Sequence, residues 1–148
     1  MGPLTVPTTG SVYVDACALI YAVEKVPPYC ALLQPLWDAA RLGHALICTS
    51  ELTLAEVLVK PLRDGDALMR DLFREAILAS EGTDPIPVTR SILERAAEIR
   101  AIAGLRTPDA IHAASAQAAG CSCFLTNDPV FSRVAGLPAV LLKDLLSP

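Results

Sequence analysis

Apolar residues fall in short blocks along this chain, and their spacing predicts strands alternating with helices. Ser11-Val12-Tyr13-Val14 is a short β-rich run, and a helical pattern follows from Cys17 to Glu24 until Val26-Pro27-Pro28 breaks it. From Tyr29 to Leu42 the apolar positions Leu32, Leu33, Leu36, Trp37 and Ala40 recur at helical spacing, with Gly43 where a helix stop belongs. Ala45 to Cys48 is too short for a helix and reads as a buried strand. Thr49-Ser50 then opens a helix that Lys60-Pro61 ends. Arg63 to Ser80 is amphipathic, with Asp64-Gly65 marking a bend before it. Pro85-Ile86-Pro87-Val88 is a strand, and its prolines place it at a sheet edge. Thr89 caps a helix that runs to Ala103 and stops at Gly104. Thr107-Pro108 starts another as N-cap and first helical residue, running to Ala119. Cys121 to Thr126 and Leu137 to Leu142 are the last two strands. Strands that alternate with helices pair side by side in parallel and are covered on both faces. The expected fold is therefore a three-layer α/β/α sandwich around a central, mainly parallel sheet. Residues 1–10 are expected to form an N-terminal extension and residues 11–148 a single domain.

Most acidic residues alternate with basic ones on what reads as a solvated face, such as Asp64, Asp66, Asp71 and Glu75 among Arg63, Arg70 and Arg74. Four do not. Asp15 follows Tyr13-Val14 directly inside the apolar run "VYVDACALIYA". Asp128 follows Phe124-Leu125-Thr126 after one Asn. In a parallel sheet the ends where strands feed into helices share one rim, so these two acids should meet there. Asp109 lies in the first turn of its helix, and Glu56 stands mid-helix in an apolar stretch with few polar neighbours. Plainer roles exist for each: Asp15 and Asp128 as helix caps, Asp109 as a complement to the helix dipole, Glu56 as a partner of Lys60. But a lone ionised carboxylate in an apolar run is costly to bury without a partner. Small neighbours (Ala16, Ala55, Ala110, Ala113) leave room for a crowded site. Four carboxylates brought together repel unless they take up protons or share a cation, and oxygen-only ligands favour Mg²⁺ or Mn²⁺. The two histidines, His44 and His112, have no ligand partner at zinc spacing.

Composition sets outer limits. Hydrophobic residues make up 53% of 148, which excludes a disordered chain. No apolar run reaches the ~18 residues of a membrane span, and "MGPLTVPTTG" lacks a basic region followed by an apolar stretch, so neither a span nor a signal peptide is expected. Five cysteines without paired spacing read as reduced thiols, mostly buried, and the expected location is the cytoplasm. The net charge of −4 argues against a protein that coats nucleic acid electrostatically, although a bound divalent cation offsets part of it.

At the four acids the chain resembles a PIN domain, and specifically the small VapC-type toxins. Four segments carry the resemblance in order: Val14 to Ile20 ("VDACALI"), Ser50 to Val57 ("SELTLAEV"), Arg106 to Ala114 ("RTPDAIHAA") and Phe124 to Phe131 ("FLTNDPVF"). The resemblance implies an acidic site that binds Mg²⁺ or Mn²⁺ and cleaves single-stranded RNA, with Asp15, Glu56, Asp109 and Asp128 as its catalytic and metal-binding acids. It further implies a small antitoxin protein as partner. Thr126 and Asn127 are similar to the polar residues that flank the last acid. Where such proteins often carry Ser, Thr or Asn after the first Asp, this chain has Ala16 and Cys17.

Around that core, Thr126 and Asn127 are expected to bond a phosphate or hold Asp15, and Arg106, just before a helix, to meet phosphate. Asp15 and Asp109 are expected to be the direct ligands and Asp128 to serve a second, weaker position. His112, at i+3 from Asp109, reads as a packed, hydrogen-bonded residue without a catalytic role, and Tyr13 and Trp37 read as core. The apolar excess suggests surfaces at 26–42 and 52–62 that a partner peptide or a second copy covers, so a homodimer is expected. Two rival readings are a catalytically silent RNA- or protein-binding module and a haloacid-dehalogenase-like phosphatase. The phosphatase wants a second Asp two residues after the first, and position 17 is Cys.

Overall fold

The computed structural model describes Leu4 and residues 10–146. Five parallel strands, β1 (Ser11–Val14), β2 (Leu46–Ser50), β3 (Thr83–Ile86), β4 (Cys123–Thr126) and β5 (Ala139–Leu141), form one sheet in the order β3-β2-β1-β4-β5. The helices are α1 (Ala16–Val23), α2 (Tyr29–Arg41), α3 (Leu52–Asp64), α4 (Ala67–Leu78), α5 (Arg90–Ala103) and α6 (Thr107–Ala118). Strand alternation divides the core. Tyr13, Cys48 and Phe124 pack against Ile92, Ala96 and Ile99 of α5 and Ala110 to Ala116 of α6 on one face. Val12, Val14, Ile47 and Leu125 pack against Ala18 of α1 and Leu33, Leu36 and Ala40 of α2 on the other. The expected three-layer α/β/α sandwich is what the chain forms. A further cluster of Leu19, Val57, Phe73 and Ile77 joins α1, α3 and α4.

Several boundaries differ from the expected ones. Thr49 and Ser50 extend β2 instead of opening a helix, because they pair with Pro85 and Ile86 of β3. Helix α3 runs through Pro61 to Asp64 and stops at Gly65, whose left-handed φ of 67° suits glycine. Strand β3 starts at Thr83 and excludes Pro87; it is an edge strand, paired with β2 alone. Arg106, not Thr107, is the N-cap of α6, which moves Pro108 one position inward. The proposed 1–10 extension lies outside the described residues, apart from Gly10 and Leu4, which packs on the α2 side of the core. All five cysteines are free, yet only Cys48 is buried.

The helix stops and starts are local and testable. The Thr89 hydroxyl accepts from the Ile92 N–H at 3.2 Å and caps α5 as expected. Thr89→Ala is expected to cost about 1 kcal/mol and to lower the thermal midpoint by roughly 2–4 °C, read by circular dichroism.

Candidate active site

The strand order reverses direction between β1 and β4, and in open α/β sheets ligands bind outside the strand carboxyl ends at that point. Val14 and Leu125 stand in register there, and the Asp15 N–H donates to the Leu125 carbonyl at 3.3 Å. Asp15 and Asp128 therefore leave adjacent strands on the same rim. Helix α6 packs on β2 and α3, and it adds Asp109 from its first turn. Helix α3 adds Glu56, whose Oε1 lies 2.5 Å from His112 Nε2 on α6.

Each acid has a distinct setting. Asp15 is buried and caps α1: its Oδ1 accepts from the Ala18 N–H at 2.9 Å and its Oδ2 from the Thr126 hydroxyl at 2.5 Å. The partner that the apolar run demands is thus Thr126, on the neighbouring strand, together with the helix it caps. Burial nevertheless pushes the Asp15 carboxyl above its ordinary 3.8. The bonds from Thr126 and Ala18 and the proximity of His112 oppose this rise, and the charge of Glu56 adds to it. Asp109 is half-buried and also raised, first by burial and then by the charge of Asp128, with Glu56 contributing and His112 and Arg106 opposing. Asp128 is exposed and caps the 3-10 turn Pro129–Arg133 through the Val130 N–H at 2.9 Å. Glu56 keeps 32% of its side chain exposed and pairs with His112, not with Lys60, whose ammonium lies 4.0 Å from Glu24.

Both caps foreseen for Asp15 and Asp128 are real, and they coexist with charge effects among the acids: Glu56 acts on Asp15, and Asp128 and Glu56 act on Asp109. Among the described residues, no group of three or more His, Cys, Asp or Glu side chains stands ready to hold a metal ion. The donor chemistry still fits a hard divalent cation. The oxygens are all carboxylate, the acids sense one another's charge, and exposed Arg106 is the lone arginine among the groups acting on Asp109.

The flanking polar residues serve the scaffold. Thr126 holds Asp15 and, through the same oxygen, accepts the Asp128 N–H at 3.0 Å. Asn127 accepts from the Lys143 N–H at 2.8 Å and donates to the Tyr21 hydroxyl at 3.3 Å, so its amide ties the chain after β4 to α1 and to the segment after β5. Sequence reasoning passed over the hydroxyl of Tyr13. The ring is core, stacked on Phe124, but its oxygen lies 2.7 Å from His112 Nδ1. A tyrosine and a histidine each set in an apolar run, both needing a polar partner, are the signal that points to such a pair.

Residues 12–137 match the model of the PIN domain family. The chain belongs to that family. Its fold is shared by VapC20 of Mycobacterium tuberculosis, a toxin that cleaves the sarcin-ricin loop. That structure is 19% identical and superposes with a TM-score of 0.68 over 86% of this chain and 96% of that one. VapBC2 of Rickettsia felis, solved on a DNA fragment from its promoter, gives 0.67 at 19% identity over 88% and 98%. A toxin-antitoxin complex from Klebsiella pneumoniae gives 0.64 at 22% identity over 89% and 98%. No curated protein sequence matches the chain.

Proposed function

We propose that this chain is a metal-dependent endoribonuclease acting on single-stranded RNA, and the toxin of a toxin-antitoxin pair. The observation that carries the reading is electrostatic: beside the switch between β1 and β4, the charge of Glu56 acts on Asp15 and the charges of Asp128 and Glu56 act on Asp109, and both aspartates are raised, first by burial. Membership of the PIN family and the toxin structures that share the fold support it.

In this reading Asp15 and Asp109 hold a Mg²⁺ or Mn²⁺ ion, Glu56 completes the set or orients the attacking water, and Asp128 serves a second position. The bound cation supplies charge neutralisation of the phosphate oxygens and acidifies the attacking water. The protein's own residues do the rest. Thr126 keeps the buried Asp15 carboxylate aimed at the rim. Arg106 and the N-terminus of α6 offer positive potential to a phosphate. Cleavage in line leaves 5′-phosphate and 3′-hydroxyl ends.

The partner is a small antitoxin protein, and the chain acts in the cytoplasm as a homodimer. No helix among the described residues is long and apolar enough to cross a membrane. A groove of about 430 Å³ lined by Val23, Cys30, Leu33, Trp37 and Leu72 is our candidate seat for an antitoxin segment. Val59 and Leu62 on α3 and Leu68 on α4 are exposed apolar residues that a partner or second copy would cover.

Labelled single-stranded RNA tests the activity. Cleavage in Mn²⁺ or Mg²⁺ that chelation stops, with 5′-phosphate products, is expected; intact RNA under both cations overturns the nuclease reading. Binding of Mn²⁺ is measured separately by thermal shift. At a concentration 100 times its Kd a cation stabilises by about 2.7 kcal/mol, a rise in midpoint of roughly 5–10 °C for a chain of this size.

A further inference from the structure

Tyr13 and His112 are fully buried polar residues that take no direct part in the chemistry proposed above, yet they lead to it. Four groups on four elements are joined in a line. The backbone N–H of Ser50, at the end of β2, donates to the Tyr13 oxygen at 3.0 Å. The Tyr13 oxygen lies 2.7 Å from His112 Nδ1, and His112 Nε2 lies 2.5 Å from Glu56 Oε1.

The first bond in this line has a fixed direction, and it bears on the others. A backbone N–H can only donate, so the Tyr13 oxygen accepts there. A tyrosine hydroxyl carries its proton at neutral pH, so Tyr13 has one to donate. Its neighbours for that proton are His112 Nδ1, at 2.7 Å, and the Thr49 hydroxyl; Thr49 already shares a hydrogen bond with Thr53, which leaves the imidazole nitrogen, the stronger base, as the acceptor we assign. With Nδ1 accepting, the ring proton resides on Nε2 and points at the Glu56 carboxylate. The ring is held edge-on to Tyr13, at 5.9 Å between centroids and 76° between planes, so it cannot turn without losing both bonds.

We propose that Tyr13 and His112 are positioning residues for Glu56: the line from Ser50 N–H through the Tyr13 hydroxyl fixes His112 as its Nε2–H tautomer, which clamps Oε1 of Glu56 and leaves Oε2 for the cation or the attacking water. Glu56 needs such a clamp. It sits mid-helix on α3 with part of its side chain in solvent, and a free glutamate has three rotatable bonds to order. Partners of this kind, which touch the ligand and not the ion, are worth about 10- to 100-fold in affinity or rate in metal sites. The functional half of the inference rests on the nuclease reading; the tautomer does not.

Two experiments separate the two. Long-range ¹H–¹⁵N correlation spectra of the labelled full chain, without added metal, report the tautomer of each histidine. His112 is expected to show one form, protonated at Nε2 with Nδ1 accepting, while exposed His44 serves as the internal reference. Tyr13→Phe is expected to convert His112 to a mixture. A wild-type His112 that averages both tautomers, or carries its proton on Nδ1, overturns the proposal. In the nuclease assay, His112→Leu is expected to lower kcat by about 10- to 100-fold and to raise the Mn²⁺ needed for half-maximal rate, with KM for RNA unchanged. His112→Gln, whose amide offers an N–H, is expected to recover part of the loss. A folded His112→Leu protein with wild-type kcat and Mn²⁺ dependence overturns the positioning role. A wild type inert toward RNA defeats the nuclease reading alone, and the tautomer then decides whether the clamp exists.

Discussion

Asp15→Asn is expected to lower RNA cleavage by about 10²–10³-fold while leaving the fold intact. The fold survives because asparagine caps helices as well as aspartate. Its side-chain oxygen still accepts the Ala18 N–H that starts α1. What disappears is the buried negative charge that, in the proposed site, holds the cation. The same substitution is expected to raise the thermal midpoint of the metal-free protein at neutral pH, and the sign follows from the pKa. Asp15 is raised above 3.8 in the folded chain, chiefly by burial. The folded state therefore holds its proton to higher pH than the unfolded state does. Its contribution to stability is fully present below 3.8 and is lost as pH rises through the folded pKa. Above both values the ionised, buried carboxylate destabilises the metal-free fold, and asparagine removes that burden. The midpoint difference between Asp15→Asn and wild type should thus grow with pH from about 4 toward neutrality and then level off. Added Mn²⁺ should stabilise the wild type and leave Asp15→Asn unmoved. A mutant that cleaves like the wild type, or that gains the same Mn²⁺ shift, refutes the role assigned to Asp15.

Thr126→Val is expected to be the costliest change in stability among the site residues. Valine has the same shape, so packing between β1 and β5 is kept and the hydroxyl alone is lost. That hydroxyl has two duties: it donates to Asp15 Oδ2 and accepts the Asp128 N–H. Its loss leaves a buried carboxylate oxygen without its donor and a backbone N–H without its acceptor. Hydrogen bonds to charged groups contribute about 1.5–3 kcal/mol, and an orphaned buried group costs a similar amount. A fall of about 2–3 kcal/mol, or roughly 5–10 °C in midpoint, is the expected result. The two substitutions should also couple. Once Asp15 is Asn there is no buried charge to leave unpaired, so Thr126→Val should cost distinctly less in that background. Equal costs in both backgrounds would show that Thr126 matters for packing and not for holding Asp15.

The layered fold was legible because its signals are local. Val12 and Val14 alternate with Tyr13 along β1, Leu33, Leu36 and Ala40 recur at helical spacing in α2, and Thr89 and Gly104 bound α5. The boundaries that moved were decided by pairing between distant segments. Thr49 and Ser50 have the chemistry of helix caps, yet their backbone is taken by β3 across the sheet. Pro61 ends a helix by its own preference, but packing of α3 onto α1 and α4 carries the helix one turn further. The rim shared by Asp15 and Asp128 was readable from the alternation of strands and helices, since each acid follows a strand of a parallel sheet. The pairing of Glu56 with His112 was not, since the nearer candidate was Lys60, four residues away on the same helix. The residues that meet are 56 apart, brought together because α6 packs beside α3. The apolar run around Asp15 announced that a partner must exist without naming it, for Thr126 lies 111 positions downstream.

The central claim is that Asp15, Glu56, Asp109 and Asp128 share a divalent cation at the carboxyl ends of β1 and β4. A crystal of the full chain grown with Mn²⁺, measured at the manganese absorption edge, tests it most directly. An anomalous peak bounded by the Asp15 and Asp109 carboxylates, with Glu56 within reach of it, is the expected result. Manganese bound elsewhere on the molecule, with Asp15, Glu56 and Asp128 still turned to Thr126, His112 and their helix caps, would contradict it.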